Sequence, residues 1–183
     1  EIFASQVALS IENNQLVEDL RRQVTTLSLF NELNRSMTTK LDLPVVLDTV
    51  VDSVTTLLGY DYATVFLLDQ RGQYYVPLAS SGYALEQLGH LSFGLDHSLI
   101  GQVARRGMPV VVDNARQDER FADWPMPVGS VIMVPLTAEG RAVGILSADR
   151  RAVGEYTPAE VATLTALADQ VSVAVENARL FDE

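Results

Sequence analysis

Residues 128–148, VGSVIMVPLTAEGRAVGILSA, hold two β-branched, apolar runs on either side of a Glu139-Gly140 turn. Val128 to Leu136 and Ala142 to Ala148 alternate two by two, so each run offers one face to each side of a sheet. Tight turn chemistry between them makes the pair an antiparallel hairpin. Upstream, Tyr62 to Leu68 (YATVFLL) leads through Asp69-Gln70-Arg71-Gly72 into Tyr74 to Ala79, a second hairpin of the same kind. A short strand, Val110 to Val112, follows Met108-Pro109.

The helical signals gather at the two ends of the chain. Asp42 as N-cap, Pro44 in the first turn and Gly59 after the last apolar residue bracket a helix through Val45, Val46, Val50, Val54, Leu57 and Leu58. Thr157-Pro158-Ala159-Glu160 is a capping box with proline at the first helical position, launching a last helix to about Asp182. A short helix from Ser98 to Arg106, opened by Asp96 or Ser98 and closed by Gly107, sits between the hairpins. Ser80 to Leu95 has no clear period and reads as loop with one short helical turn. The order predicts an α+β fold, an antiparallel sheet with the terminal helices on one face. The irregular segment must then cover the other face, where a small-molecule cavity is expected.

The chain also repeats its own tail. Phe3 to Val17 (FASQVALSIENNQLV) matches Leu167 to Phe181 (LADQVSVAVENARLF) at an offset of 164, with six identities that include Glu12-Asn13 against Glu176-Asn177. Residues 1–20 are therefore expected to be the C-terminal helix of a preceding domain copy continuing into a linker helix, with 21–183 as the domain itself. No proline or glycine precedes Pro44, and Leu16, Leu20, Val24 and Leu27 fall at three- and four-residue steps. That stripe is the candidate seam of a homodimer, the other reading being that it packs on its own domain.

Of 183 residues, 24 are acidic and 13 basic, giving a net charge of −11. Residues 1–40 carry five acids and four bases, so 19 acids and nine bases, a net of −10, lie in 41–183. Such a field repels nucleic acid and anionic membrane surfaces, and no apolar run is long enough to span a bilayer. A cytoplasmic location without membrane insertion is expected. With no cysteine, disulfides, iron–sulfur clusters, thiolate zinc and thiol nucleophiles are excluded.

Taken in order, Leu99-Ile100-Gly101-Gln102-Val103, Gly107-Met108-Pro109-Val110-Val111-Val112-Asp113, Asp118-Glu119-Arg120-Phe121, Val134-Pro135-Leu136, Gly140 to Leu146, Tyr156-Thr157-Pro158 and Glu176 to Leu180 resemble a GAF domain. The resemblance covers about residues 24–183. It implies a PAS-related, six-stranded antiparallel sheet with the N- and C-terminal helices on one face and a ligand cavity on the other. It further implies a sensory or regulatory role in multidomain signalling proteins such as histidine kinases, diguanylate cyclases, phosphatases and transcription regulators.

Without cysteine, neither the thioether-linked bilin nor the thiol chemistry of sulfoxide-reducing relatives is available. Asn114 and Phe121 echo a motif of cyclic-nucleotide-binding members, but its lysine has no counterpart, Arg116 being the nearest base, and its last segment is shortened to Ala122 to Gly129. Haem-binding members would place an axial ligand at His97 or His90; a capping role for His97 beside Asp96 is the simpler reading. No cofactor is therefore expected. Asp113, Asp118, Glu119 and Asp123 suggest a cation site or an acid/base pair, but without a glycine-punctuated calcium loop they read as a solvated polar loop. Trp124, the sole tryptophan, is either a lid or a packing residue. The candidate ligand-binding set is Phe66, His97, Val112, Asn114, Phe121, Trp124 and Met133, while the sheet face that lines the cavity stays open between Thr64, Phe66, Leu68 and Ala63, Val65, Leu67. The functional expectation is a non-enzymatic sensor that binds an unidentified small molecule non-covalently and relays the signal through the connecting helix; the alternative is a ligand-free dimerisation module.

Overall fold

The computed structural model describes residues 43–88, 92–94, 98–121, 124 and 126–181. The expectations for residues 1–20, the seam at Leu16, Leu20, Val24 and Leu27, and both His90 and His97 lie outside them.

Helix α1 spans Leu43–Thr56 and buries Val46, Leu47, Val50, Val51 and Val54. Valine is a middling helix former, so this segment is helical because one face is buried rather than by propensity. Strands β1 (Tyr62–Leu68) and β2 (Tyr74–Ser81) form the first hairpin. Then come α2 (Leu85–Leu88), β3 (Phe93–Gly94), α3 (Leu99–Arg106) and β4 (Val110–Val112). Two 3₁₀ turns, Ala115–Gln117 and Glu119–Phe121, precede β5 (Ser130–Ala138), β6 (Arg141–Arg150) and α4 (Pro158–Phe181).

Among the described residues the strands make one six-stranded sheet, ordered β3-β2-β1-β6-β5-β4, with every neighbouring pair antiparallel. Strand β3 is the element the sequence reading missed. Two residues, Phe93 and Gly94, pairing with Tyr75 and Tyr74, are too few to show a period. The central pair β1 and β6 runs in register from Tyr62 opposite Asp149 to Leu67 opposite Gly144. A β-carbon on Gly144 would lie 2.5 Å from Leu67 Cδ2 and 2.7 Å from the Phe66 carbonyl oxygen, so only glycine fits this crossing. Both hairpins carry a bulge. The β1–β2 register skips Leu78, next to Pro77, and the β5–β6 register skips Val143. A bulge is where a strand tolerates a proline that has no N–H to give.

The sheet separates two apolar cores. On one face, Ala63, Val65, Leu67, Ile132, Val134 and Leu146 pack against α1 and α4. Helix α4 meets them through Leu164, Leu167, Ala168, Val171 and Val175, the three- and four-residue steps of a single stripe. Each fully buried Leu or Val side chain contributes about 1.5–3 kcal/mol. On the other face, Phe66, Val131, Met133 and Ile145 pack against α3, β4 and the 3₁₀ turns. The ambiguity of strand faces is thereby settled. Thr64, Phe66 and Leu68 face the crossing segment, and Ala63, Val65 and Leu67 face the helices.

Helix caps follow the sequence signals. Ser98 opens α3 by accepting a hydrogen bond from the Gly101 amide at 2.9 Å, and Gly107, at φ 61°, closes it with its N–H on the Val103 carbonyl. At α4, Thr157 N–H donates to Glu160 Oε2 at 2.8 Å and Glu160 N–H donates to Thr157 Oγ1 at 3.3 Å, a reciprocal capping box. No helix among the described residues is long and apolar enough to cross a membrane.

Candidate functional site

The face of the sheet under the crossing segment is built in two zones. At one end is an aromatic cluster centred on Trp124. Its ring centroid lies 5.5 Å from Phe93, 5.6 Å from Phe121 and 6.4 Å from Phe66. Phe66 meets Phe93 edge-on at 5.5 Å. Such offset and edge contacts add about 0.5–1.5 kcal/mol each beyond the area they bury. The candidate residues Phe66, Val112, Phe121 and Met133 are buried in this core, with Trp124 half-buried against it. Asn114 lies just before the first 3₁₀ turn.

At the other end, on the two central strands β1 and β6, is a polar row. Thr64, Ser147 and Asp149 are all fully inaccessible to solvent. Alternation along β6 sets Ile145, Ser147 and Asp149 on the crossing-segment face, and Ser147 pairs with Thr64 across the β1–β6 ladder. Ser147 Oγ donates to Asp149 Oδ1 at 2.6 Å. Thr64 Oγ1 and Tyr83 Oη share a hydrogen bond of 2.6 Å, and the Tyr83 ring leans on Tyr62 at 4.9 Å.

The electrostatics of this row are unusual. Burial pushes the Asp149 carboxyl up to about 7, against the opposing pull of the Ser147 hydroxyl. Burial raises Tyr83 as well, and the Asp149 charge adds to that rise. Asp149 Oδ2, Asn114 Oδ1, Trp124 Nε1 and, on α4, Glu176 Oε2 are buried and have no hydrogen-bond partner among the described residues. An unpaired buried polar atom of this kind costs about 1–3 kcal/mol, more for a charged group.

The neighbouring arginines are engaged elsewhere. Arg150 forms an ion pair with Glu160, and its guanidinium lies over the rings of Tyr60 and Tyr156. Arg151 donates to Tyr62 Oη at 2.8 Å and stands 3.9 Å from Asp61.

On the outer side of the crossing segment, an open groove of about 420 Å³ runs between the 3₁₀ turns and Met126–Val128, touching Phe121. Asp118 accepts hydrogen bonds there from the Arg120 backbone at 3.0 Å and from Arg120 Nε at 2.8 Å. The Arg120 side chain, opposed by slight burial and aided by the backbone bond, holds the Asp118 carboxyl below its usual range. Arg116, the nearest base to a nucleotide-type motif, donates to the Arg151 carbonyl at 2.9 Å. Among the described residues no group of three or more His, Asp or Glu side chains is placed to hold a metal ion.

Sequence reasoning located the aromatic zone and missed the polar one. Its signal was present as two polar residues at alternate positions, Ser147 and Asp149, continuing the apolar Ile145 face of a central strand. Only burial on both sides of the sheet separates that pattern from an ordinary strand end.

A sequence model of the GAF domain matches residues 42–175. The chain is 26% identical over 140 residues to a Nif-specific regulatory protein of Azospirillum lipoferum, covering 72% of this chain and 22% of that protein. It thus spans about 22% of the length of that curated relative. Among solved structures, the GAF domain of an Acinetobacter phosphoenolpyruvate-protein phosphotransferase superposes with a TM-score of 0.77 at 29% identity, covering 86% of this chain and 94% of that one. A free methionine-R-sulfoxide reductase from Neisseria meningitidis, solved with its substrate, superposes with a TM-score of 0.71 at 20% identity, covering 83% and 88%, and shares the fold.

Proposed function

Because the chain belongs to the GAF domain family, we propose that it is a non-enzymatic sensory and regulatory module of a longer cytoplasmic signalling protein. In this reading it binds a small molecule non-covalently between the sheet and the crossing segment, and relays occupancy to the terminal helices. The observation that carries it is that three of the four buried polar atoms without partners among the described residues, Asp149 Oδ2, Asn114 Oδ1 and Trp124 Nε1, gather here, the fourth being Glu176 Oε2 on α4. All three belong to the sheet face under the crossing segment or to that segment itself. A ligand that pairs with one of them would recover desolvation that the protein alone bears. The matched relatives are named as regulatory proteins, which supports the setting.

The reductase among the structural neighbours gives no reason to assign the same chemistry. This sequence has no cysteine, so a thiol-based reduction has no residue to run on. Relay is proposed to run from β6 through Arg150 to the first turn of α4, and the homodimer seam is proposed at Leu16, Leu20, Val24 and Leu27.

Native mass spectrometry of freshly purified protein tests both parts. A retained small molecule and a two-chain mass are expected. A monomer carrying nothing, with a broad calorimetric screen silent, overturns the reading. Paired Leu20→Asn and Leu27→Asn changes should give monomer without loss of the fold.

A further inference from the structure

Building on the proposed small-molecule reading, we propose that Asp149 anchors the ligand and that the ligand presents a primary ammonium group to it, with an apolar body directed toward Phe66 and Trp124. The polar row is rich in acceptors and poor in cations. Asp149 is fully buried, with one oxygen held by Ser147 and the other unpartnered among the described residues. The Thr64 and Tyr83 hydroxyls bond to each other and keep lone pairs free to accept. Neither adjacent arginine turns to the carboxylate. Arg150 is committed to Glu160 and two tyrosine rings, and Arg151 to Tyr62 and Asp61.

A carboxylate buried without a counter-charge is among the costliest arrangements in a protein interior, and an ammonium with three N–H donors is the simplest group that offsets it. A neutral hydroxyl would satisfy Oδ2 but leave the charge uncompensated. An anion would be repelled, and the net charge of −11 adds a long-range preference for cations. Tyr62 pairs with Asp149 and Phe66 with Ile145, so four residues, about 13 Å at strand rise, separate the anchor from the aromatic cluster on the same face. That spacing is the outer limit on the length of the apolar body, which a short amine spans only in part.

Binding also moves a proton. With the carboxyl raised to about 7 by burial, Asp149 below that pH is largely neutral. Docking the ammonium draws the carboxyl into its ionised form, and the proton leaves to solvent.

The test uses the 183-residue chain with phenethylamine and isoamylamine as probes and 2-phenylethanol as the neutral control, read by calorimetry and thermal shift. Both amines are expected to bind at least about tenfold more tightly than the alcohol, with a heat that depends on buffer ionisation because a proton is released. Asp149→Asn, which keeps shape and removes charge, should weaken the amines by about tenfold or more while its circular dichroism stays that of the parent. Equal affinity for amine and alcohol, silence from both amines, or unchanged amine binding by the variant overturns the proposal. The amine-and-alcohol comparison needs no variant. If native mass spectrometry finds a retained neutral or anionic molecule, the ammonium proposal falls and the sensory reading stands; if nothing is retained and all probes are silent, both fall.

Discussion

The guanidinium carbon of Arg150 stands 4.6 Å from the ring centroid of Tyr156. The same group lies 5.0 Å from the Tyr60 ring, and the two rings are parallel within 12°. It also pairs with Glu160, the capping-box residue of α4. Burial opposes the Glu160 charge, but hydrogen bonds from Thr157 and the Arg150 contact outweigh it and hold the carboxyl below its usual range. Because Arg150 follows Asp149 in β6, the polar row is one residue away in the chain from the side chain that pairs with the first turn of the last helix. A shift at the proposed anchor has a direct mechanical route to α4.

Arg150→Ala should lower stability by about 1–3 kcal/mol, from two cation–π contacts and a half-buried ion pair. Arg150→Lys should restore less than half of that, since an ammonium cannot lie flat on the tyrosine rings and fork to Glu160 at once. Urea unfolding followed by circular dichroism measures both. Equal stability of all three proteins would show that the clasp contributes nothing.

Asp149→Asn should stabilise the protein at neutral pH and above, with a gain that shrinks as pH falls. The folded carboxyl is raised to about 7 from 3.8. The folded state therefore binds the extra proton between those values, and the parent loses stability as pH rises through that window. Full loss corresponds to roughly 4 kcal/mol at most. Melting temperatures of parent and variant from pH about 4 to about 8 check the sign. A gain that grew toward acid pH would contradict it.

Gly144→Ala should destabilise by about 1–3 kcal/mol, since the new methyl would meet Leu67 Cδ2 at 2.5 Å, the Phe66 carbonyl at 2.7 Å and Leu136 Cδ1 at 2.8 Å. Two of those atoms are side-chain ends that yield, and one is backbone that does not. Denaturant midpoints give the magnitude, and a neutral change would mean that β1 and β6 part more readily than the register implies.

Trp124, the only tryptophan, makes ligand binding visible. Its indole is half-buried among Phe66, Phe93 and Phe121 with an unpartnered N–H. An occupied site should change its emission maximum and intensity in a saturable titration with a binding probe. Trp124→Ala should weaken that probe as measured by calorimetry, and its circular dichroism should match that of the parent. Binding that leaves both emission and the affinity of the variant unchanged would place the ligand elsewhere.

Much of the architecture is legible in local chemistry. The Thr157–Glu160 box, the Ser98 and Gly107 caps and the Glu139-Gly140 turn are short-range devices that act through neighbours in the chain, and each appears in the structure where its residues stand. Strand β3 escaped because two residues hold it, and the bulges at Leu78 and Val143 escaped because a register skip is a relation between two strands.

The candidate site divides along the same line. Apolar residues such as Phe66 and Met133 announce themselves through alternation, yet alternation is blind to which face is which. Only the packing of α1 and α4 against Val65 and Val134 decides that Phe66 and Met133 lie under the crossing segment. Asp149 shows the limit most clearly. A carboxylate near a strand end, followed by two arginines, reads as a solvated charge. Residue type and spacing suffice for the order of the terminal helices and the two hairpins, the antiparallel class and the absence of thiol chemistry. Tertiary packing is what seals Asp149 from water, ties it to Ser147 and leaves it without a counter-charge among the described residues. Desolvation is the sum of what distant segments place around an atom, and no local pattern contains it.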